Sequence, residues 1–318
     1  MFVFAVRRIM VSVPLLIGIT IIVFALATMM PGDALLAMFA DEAGFTRELL
    51  AQQRTRLGLD QPVIIQYLTW LGRIAQGNLG MSLVSHEPVA YSISLRLGPT
   101  LQLMGVALVF SLVVGVTLGV ISALKQNTVL DHVLTVIGFI GISMPVFFLG
   151  LLFVYVFSLK LNWFPSSGMR TAGQPYELMD NLRHLVLPAL AIGMVRTVTF
   201  MRYTRNSMLE VLSSDYLNTA RAKGLAERKV IWGHALRNAL SPLVTAIGLA
   251  LPTLLAGAVY IETVFQWPGT GLLFIRAVNT RDTPMIMGLA LVFSLAVMIA
   301  NLLTDLAYAF IDPRVRYD

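Results

Sequence analysis

Apolar residues fall in long, nearly unbroken runs along this chain. Six candidate spans can be drawn: Ile9 to Met30, Thr100 to Leu124, His132 to Leu159, Leu185 to Phe200, Leu243 to Ile261 and Met285 to Phe310. Crossing a hydrocarbon core of about 30 Å takes about 20 apolar residues as a helix. The weak ten-residue alternation of a membrane barrel is missing, so the runs predict helices. Between the first two runs lies a mixed segment, Pro31 to Pro99. Within it, LLAQQRTRLGLDQPVIIQYLTWLGRIAQG places polar and apolar residues at helical spacing, broken by Gly58 and Pro62. That pattern predicts short amphipathic helices lying on one membrane face. The chain therefore divides into 1–99, a first span with an external amphipathic segment, and 100–318, a five-helix core.

Several runs contain Pro or Gly: Pro14, Pro145, Pro188 and Pro252, with Gly115 and Gly119 four residues apart. Small residues let helices approach closely in lipid, and prolines kink them. Ordinary packing accounts for these positions without a dedicated hinge. The first run has a rival reading as a signal peptide, because Arg7 and Arg8 precede it and Ala25-Leu26-Ala27 resembles a cleavage site. Its length exceeds the usual apolar core of such a peptide.

The longest polar interruption within the core is Asp215 to Asn238, DYLNTARAKGLAERKVIWGHALRN, inside a loop region spanning 206–240. Ser213 or Ser214 can cap a helix that carries Asp215 in its first turn and Lys223 in its last, both favourable to the helix dipole. Gly224 suits the left-handed position that ends a helix. Between them stand small or polar residues, with Tyr216 and Leu217 the only bulky groups. Such a helix cannot bury much of itself in its own chain but fits a partner's groove. A second helical stretch begins near Glu227, where Val230, Ile231 and Trp232 give it an apolar side. The competing reading is a loop made basic only to fix orientation.

Composition agrees with a polytopic membrane protein, at 57% hydrophobic and 13% charged residues, against about a quarter charged in soluble domains. The formal charge of +6 does not point to nucleic acid, because the basic residues cluster at span ends and no basic face is interleaved with aromatics. With a cytoplasmic N-terminus, the inner side holds twelve basic residues: Arg7, Arg8, Lys125, Arg202, Arg205, Arg221, Lys223, Arg228, Lys229, Arg237, Arg314 and Arg316. The short outer loops hold five: Lys160, Arg170, Arg183, Arg276 and Arg281. Twelve against five places both termini and the Asp215 loop inside. The 31–99 segment is left out of the count, since long translocated segments obey the rule poorly.

Cysteine is absent, so no disulfide framework or thiolate metal site exists. His86, His132, His184 and His234 have no ligand spacing, and the sixteen methionines suit packing within spans. No H-E-x-x-H or G-x-S-x-G occurs, which removes the familiar hydrolase constellations. An ion-coupled carrier, the rival transport class, would predict inverted repeats and intramembrane acidic relays, and neither is evident. Arg196 falls inside the fourth run, where a charge must face protein or water. It either lines a translocation cavity and meets an anionic substrate, or it pairs with an acid such as Asp305 or reaches toward the inner surface.

The polar interruption also resembles the coupling segment, or EAA loop, of ABC-importer inner-membrane permeases. Gly224 stands at the motif's glycine, Thr219 and Ala220 at its alanines, and Asn218 in place of its acidic residue. His234-Ala235-Leu236-Arg237 occupies the place of I-x-L-P, with Arg237 for proline. DYLNTARAKGL followed by HALRNALSPLVT resembles the dipeptide, oligopeptide and nickel permease family, in its B-type subunit. Pro31-Gly32-Asp33, LGLDQPVIIQYLTWL, GNLGMSL, TRNSMLEVL, ETVFQWPGTG and DLAYAFIDPRVRY resemble family signatures in family order. Ala34 stands where a second proline is usual, and Asn78 where an aspartate is usual.

This resemblance implies an all-α, six-span, type I ABC importer permease with a cytoplasmic coupling helix. It implies half a translocation path in a bacterial or archaeal cytoplasmic membrane, surrounded by lipid. The expected partners are a second, C-type permease, two cytoplasmic ATPase subunits and an external substrate-binding protein. ATP and Mg would sit on the partner chains, consistent with the lack of any Gly-Lys pair for a phosphate-binding loop here, so this chain itself is no enzyme. The coupling residues implied are Asp215, Tyr216, Thr219, Ala220, Lys223 and Gly224. Glu262, Trp267 and Pro268, in the ETVFQWPGTG signature, are implied as a gate or a docking surface for the binding protein. Peptides are the expected cargo, with nickel chelates, glutathione, opines and oligosaccharides as alternatives.

Overall fold

The computed structural model describes residues 2–29, positions 48, 52, 55 and 58, and residues 60–311. The elements are α1 (Phe2–Met29), α2 (Val63–Ala75), α3 (Val89–Leu124), α4 (Val129–Ser143) and α5 (Val146–Phe153), which runs on as a π-helical turn over Val154–Lys160. They continue with α6 (Leu178–Leu212), α7 (Asp215–Ala222), α8 (227–239, π-helical over Val230–Ala235), α9 (Ser241–Val264), α10 (Thr270–Thr280) and α11 (Thr283–Ile311). Among the described residues the β-structure is one isolated bridge, Met81 to Pro88.

Among the described residues, four helices are long and apolar enough to cross a membrane: α1, α3, α6 and α11. The α4–α5 pair makes a fifth if counted as one broken span. The expected Leu243 to Ile261 span coincides with α9, a 24-residue helix in which side chains 251–257 lie outside the described residues. The count of six is thus not reached as drawn.

The expected single span His132 to Leu159 is corrected. Its two helices meet at 103° across Met144 and Pro145. Proline has no N–H to donate and pushes the preceding residue out of the α region. Met144 accordingly sits at φ −87°, ψ 132°, and the helix restarts after Pro145. Packing alone therefore does not describe Pro145, although Pro14 and Pro188 do lie inside unbroken helices.

The central pair is α3 against α6, and glycines set its closeness. A Cβ on Gly115 would fall 2.8 Å from the Thr197 carbonyl, and one on Gly119 would fall 2.7 Å from the Met201 carbonyl. The backbones touch where side chains would otherwise separate them. Gly193 makes the reciprocal approach, its Cβ position 2.7 Å from the Phe110 ring. Gly119→Leu is expected to cost about 1–3 kcal/mol by overpacking, seen as a fall of roughly 5 °C in the unfolding temperature in detergent. Gly105→Leu, where a Cβ meets nothing within 4 Å, should leave that temperature nearly unchanged.

Leu103, Leu149, Leu185, Ile192, Ile261 and Trp267 join α3, α5, α6 and α9 into the main buried cluster. At one side α1 packs on α11, and α2 closes over α1 through Trp70 against Phe24 and Ala27. The Tyr67 and Thr20 hydroxyls are 3.0 Å apart. The amphipathic reading of 63–75 is therefore right in type: one face is docked, while Val63, Ile64 and Leu68 stay exposed. Most of its expected N-terminal continuation lies outside the described residues.

Candidate functional site

At the end of the bundle where α3 finishes and α6 leads into α7, the chain builds a small exposed platform. Leu217 is the buried residue of α7, inserted among Val120 and Ala123 of α3, Met208 of α6, and Val230, Ala235 and Ala239 of α8. Asp215, Tyr216, Asn218, Thr219, Arg221 and Lys223 are all exposed, and Ala220 is half-buried. One apolar anchor thus fixes a helix whose remaining faces stay open.

The two ends of α7 are built differently. Ser214 occupies the capping position, but its side chain makes no capping hydrogen bond. The hydroxyls of Ser213 and Ser214 instead donate backwards to the Glu210 carbonyl, at 2.7 and 3.4 Å. The expected serine cap is corrected on this point: the preceding helix captures the hydroxyls. The C-terminal end follows expectation. Gly224 adopts φ +78°, with Gly224 N–H donating to the Arg221 carbonyl at 2.9 Å and Leu225 N–H to the Ala220 carbonyl at 3.4 Å. This closes the helix in the manner favoured by glycine. A Cβ at Gly224 would meet nothing within 4 Å, so the chain itself leaves space there.

Contacts between α7 and α8 fix the platform's shape. Arg221 donates to Glu227 at 3.0 Å through Nη2 and at 3.3 Å through Nε, and this bond raises the guanidinium above its ordinary pKa. Both side chains are exposed, so the pair orients more than it stabilises. Asn238 Nδ2 donates to the Tyr216 hydroxyl at 2.9 Å. Of the expected apolar side of α8, Val230 is buried while Trp232 stands exposed.

Sequence reasoning missed the anchor beneath this platform. Arg205, on α6 ten residues before α7, donates to Asp131 at the start of α4 through Nε at 2.9 Å and Nη2 at 2.8 Å. The Ser122 hydroxyl of α3 also donates to Asp131, and Asn127 N–H reaches it at 3.2 Å. A buried aspartate thereby ties three helices together where α7 begins. The partners are 74 residues apart, and the sequence marks Arg205 only as one more inner-side charge. Asp131→Ala should cost about 3 kcal/mol by stranding Arg205. Asp131→Ala combined with Arg205→Leu should cost less than the two single changes added, as thermal unfolding of all four proteins would reveal.

At the opposite end of the bundle, Glu262, near the end of α9, lies fully buried against the start of α10. Oε2 accepts from the N–H groups of Gly271 at 2.7 Å and Leu272 at 3.1 Å, and Oε1 from the Thr100 hydroxyl at 2.7 Å. Thr270 N–H donates in turn to Thr100 Oγ1 at 2.8 Å. A carboxyl in this place satisfies the free N–H groups of the helix and suits its dipole. Glycine is required beside it, since a Cβ on Gly269 would lie 2.2 Å from the Glu262 carboxyl carbon. Trp267 is likewise buried, its indole N–H donating to the Pro99 carbonyl at 2.9 Å. Glu262 and Trp267 therefore hold this loop from within, and of the three expected gate or docking residues Pro268 alone reaches the surface. Asn78, the departure from aspartate, keeps an acceptor role: its Oδ1 takes the Gly80 N–H at 2.9 Å. Ala34 lies outside the described residues.

Arg196 is half-buried on α6. Among the described residues no acidic side chain forms an ion pair with it. The structure brings together the α7 residues as one group and Glu262, Trp267 and Pro268 as another, with Arg196 between them along α6 and apart from both.

Residues 115–317 match the family described as binding-protein-dependent transport system inner membrane component. The chain belongs to this family. Residues 1–104 match the corresponding N-terminal membrane component. A protein of Brucella suis biovar 1 bearing a provisional peptide-permease name is 47% identical over 98% of both chains. The dipeptide transport system permease protein DppB of Escherichia coli K12 is 39% identical over 99% of this chain and 98% of its own. The oligopeptide transport system permease protein AppB of Bacillus subtilis is 38% identical over 99% of both. The fold is also that of the inward-facing MetNI methionine ABC transporter, with a TM-score of 0.55, 18% identity, and coverage of 70% of this chain and 97% of that one. This permease is thus a multi-pass membrane component of a transport system.

Proposed function

We propose that this permease forms half of the translocation path of an ABC importer for di- and oligopeptides. The carrying observation is α7, exposed on nearly every side yet pinned by Leu217 to the ends of α3 and α6. A helix so placed can enter a cleft in a cytoplasmic ATPase and move the two central helices as the ATPase closes. That is a two-state element biased by a distant ligand. In this reading Asp215, Tyr216, Thr219, Ala220, Lys223 and Gly224 make the contact, within the 206–240 loop of the 100–318 core. The Asp131–Arg205 pair stiffens its base.

Both termini and α7 face the cytoplasm, as the basic residues favour. The α10 end faces outward, where an external binding protein delivers cargo. A second permease completes the path, and ATP with Mg is bound and hydrolysed on two partner ATPase subunits. Arg196, half-buried and free of an acidic ion-pair partner among the described residues, suits a path for anionic peptides. The names of the relatives favour peptide cargo over metal chelates or sugars. Purified permease reconstituted with its ATPase, second permease and binding protein should show peptide-stimulated ATP hydrolysis. No stimulation by any peptide-loaded binding protein would overturn the reading.

A further inference from the structure

Beside the Glu262 node, at the end of the bundle away from α7, a cleft of about 510 Å³ opens between α3, the 168–176 loop and the turn before α10. Arg96 and Arg170 line it together with Tyr176 and Gln266, and Pro99 and Met169 supply apolar wall. No acidic side chain lines it. Among the described residues, neither Arg96 nor Arg170 makes a side-chain hydrogen bond or ion pair. Two cations therefore share one recess without an anion between them.

The recess is held in shape from several sides. Gly168 N–H donates to the Phe265 carbonyl at 2.8 Å, and the fully buried Asn181 donates to the Met169 carbonyl at 3.0 Å. Thr171 donates to Asp180 through N–H at 2.7 Å and Oγ1 at 2.8 Å. These bonds bracket Arg170 in sequence. Arg96 stands one turn before Thr100, itself locked to Glu262. Preorganisation of this kind lowers the ordering cost of binding.

We propose that this cleft is an entry subsite that takes the free α-carboxylate of a short peptide before it passes between the permeases. The inference rests on the peptide reading above and adds where and how the cargo is first held by this chain. Arginine is the side chain suited to paired recognition of a carboxylate. The volume falls within the 300–1,000 Å³ range of small-molecule sites, and the apolar wall suits a peptide side chain more than a highly hydrated inorganic anion. A protein partner docking here would instead call for a broader, flatter contact.

The test uses the assembled transporter in detergent without its binding protein, probed with trialanine by saturation-transfer NMR. Trialanine should show transfer, and trialanine amide at least roughly threefold less. The double variant Arg96→Gln/Arg170→Gln should abolish that difference while the complex stays assembled. Equal transfer to peptide and amide, or an unchanged preference in the variant, would overturn the subsite. So would a variant that keeps its peptide signal but needs several-fold more binding protein for half-maximal ATP hydrolysis, since the cleft would then be a docking surface. ATP hydrolysis stimulated by peptide-loaded binding protein, measured in parallel on the wild type, separates the two claims. If it is present and the NMR preference is absent, only the subsite fails. If it is absent, the peptide function fails and the assignment of a peptide carboxylate falls with it.

Discussion

Gly224→Trp is expected to abolish peptide-stimulated ATP hydrolysis and to release the ATPase subunits from the solubilised complex, while the permease still inserts and folds. The expectation separates two effects at one position. Because Gly224 sits at φ +78°, any L-residue there carries about 1 kcal/mol of backbone strain. Because position 224 is exposed and a Cβ there meets nothing within 4 Å in this chain, the bulk of the indole is expected to meet what the platform enters. Gly224→Asn provides the control, since asparagine tolerates the left-handed region and adds little bulk. It should retain most of the ATPase association. A Trp variant that still binds its ATPase and transports would sink the coupling role of α7. If the Asn variant failed as completely as Trp, backbone strain would explain the loss and no cleft would be needed.

The parts of this architecture that rest on local pattern were readable in advance. The apolar runs located α1, α3, α6 and α11, and Gly224 marked the end of α7 because a left-handed residue leaves a compositional trace. Apolar runs were poorer guides to length. Leu185 to Phe200 is only the middle of α6, which continues through Asn181, His184, Arg202 and Arg205 to Leu212. A helix in the membrane extends past the hydrocarbon as long as neighbours satisfy its polar faces, and that satisfaction is tertiary. The break at Pro145 was visible as a proline but not as a 103° bend, because Pro14 and Pro188 show the same residue accommodated within a helix.

The site residues divide on the same line. The exposed face of α7 followed from its small and polar composition. The Asp131–Arg205 pair and the Thr100–Glu262 bond join residues 74 and 162 positions apart, and no spacing rule connects them. The available signal is one acid, Asp131, at the edge of the third apolar run. Glu262 was singled out for its place in a signature, yet its signature neighbours Gly269 and Gly271 carry the physical reason. The Glu262 carboxyl occupies the space a side chain on Gly269 would need, while a Cβ on Gly271 would fall 2.5 Å from Val259 Cα and 3.0 Å from Glu262 Oε2.

Glu262→Ala is therefore expected to destabilise the fold rather than to alter selectivity. Removing the carboxyl leaves the N–H groups of Gly271 and Leu272 without their acceptor and the Thr100 hydroxyl without one of its partners, all buried. At about 1–3 kcal/mol for each buried group left unsatisfied, the loss should exceed 3 kcal/mol, a drop of about 5 °C or more in the unfolding temperature. Glu262→Gln keeps one oxygen for the two backbone donors and can turn its amide toward Thr100 Oγ1, which is able to accept. It should recover most of that stability. The pair of variants decides between structure and gating. A gate that works through the charge of Glu262 would lose transport in the Gln variant even at wild-type stability. A structural cap would lose transport only in proportion to the fall in unfolding temperature, and an Ala variant as stable as the wild type would overturn the cap altogether.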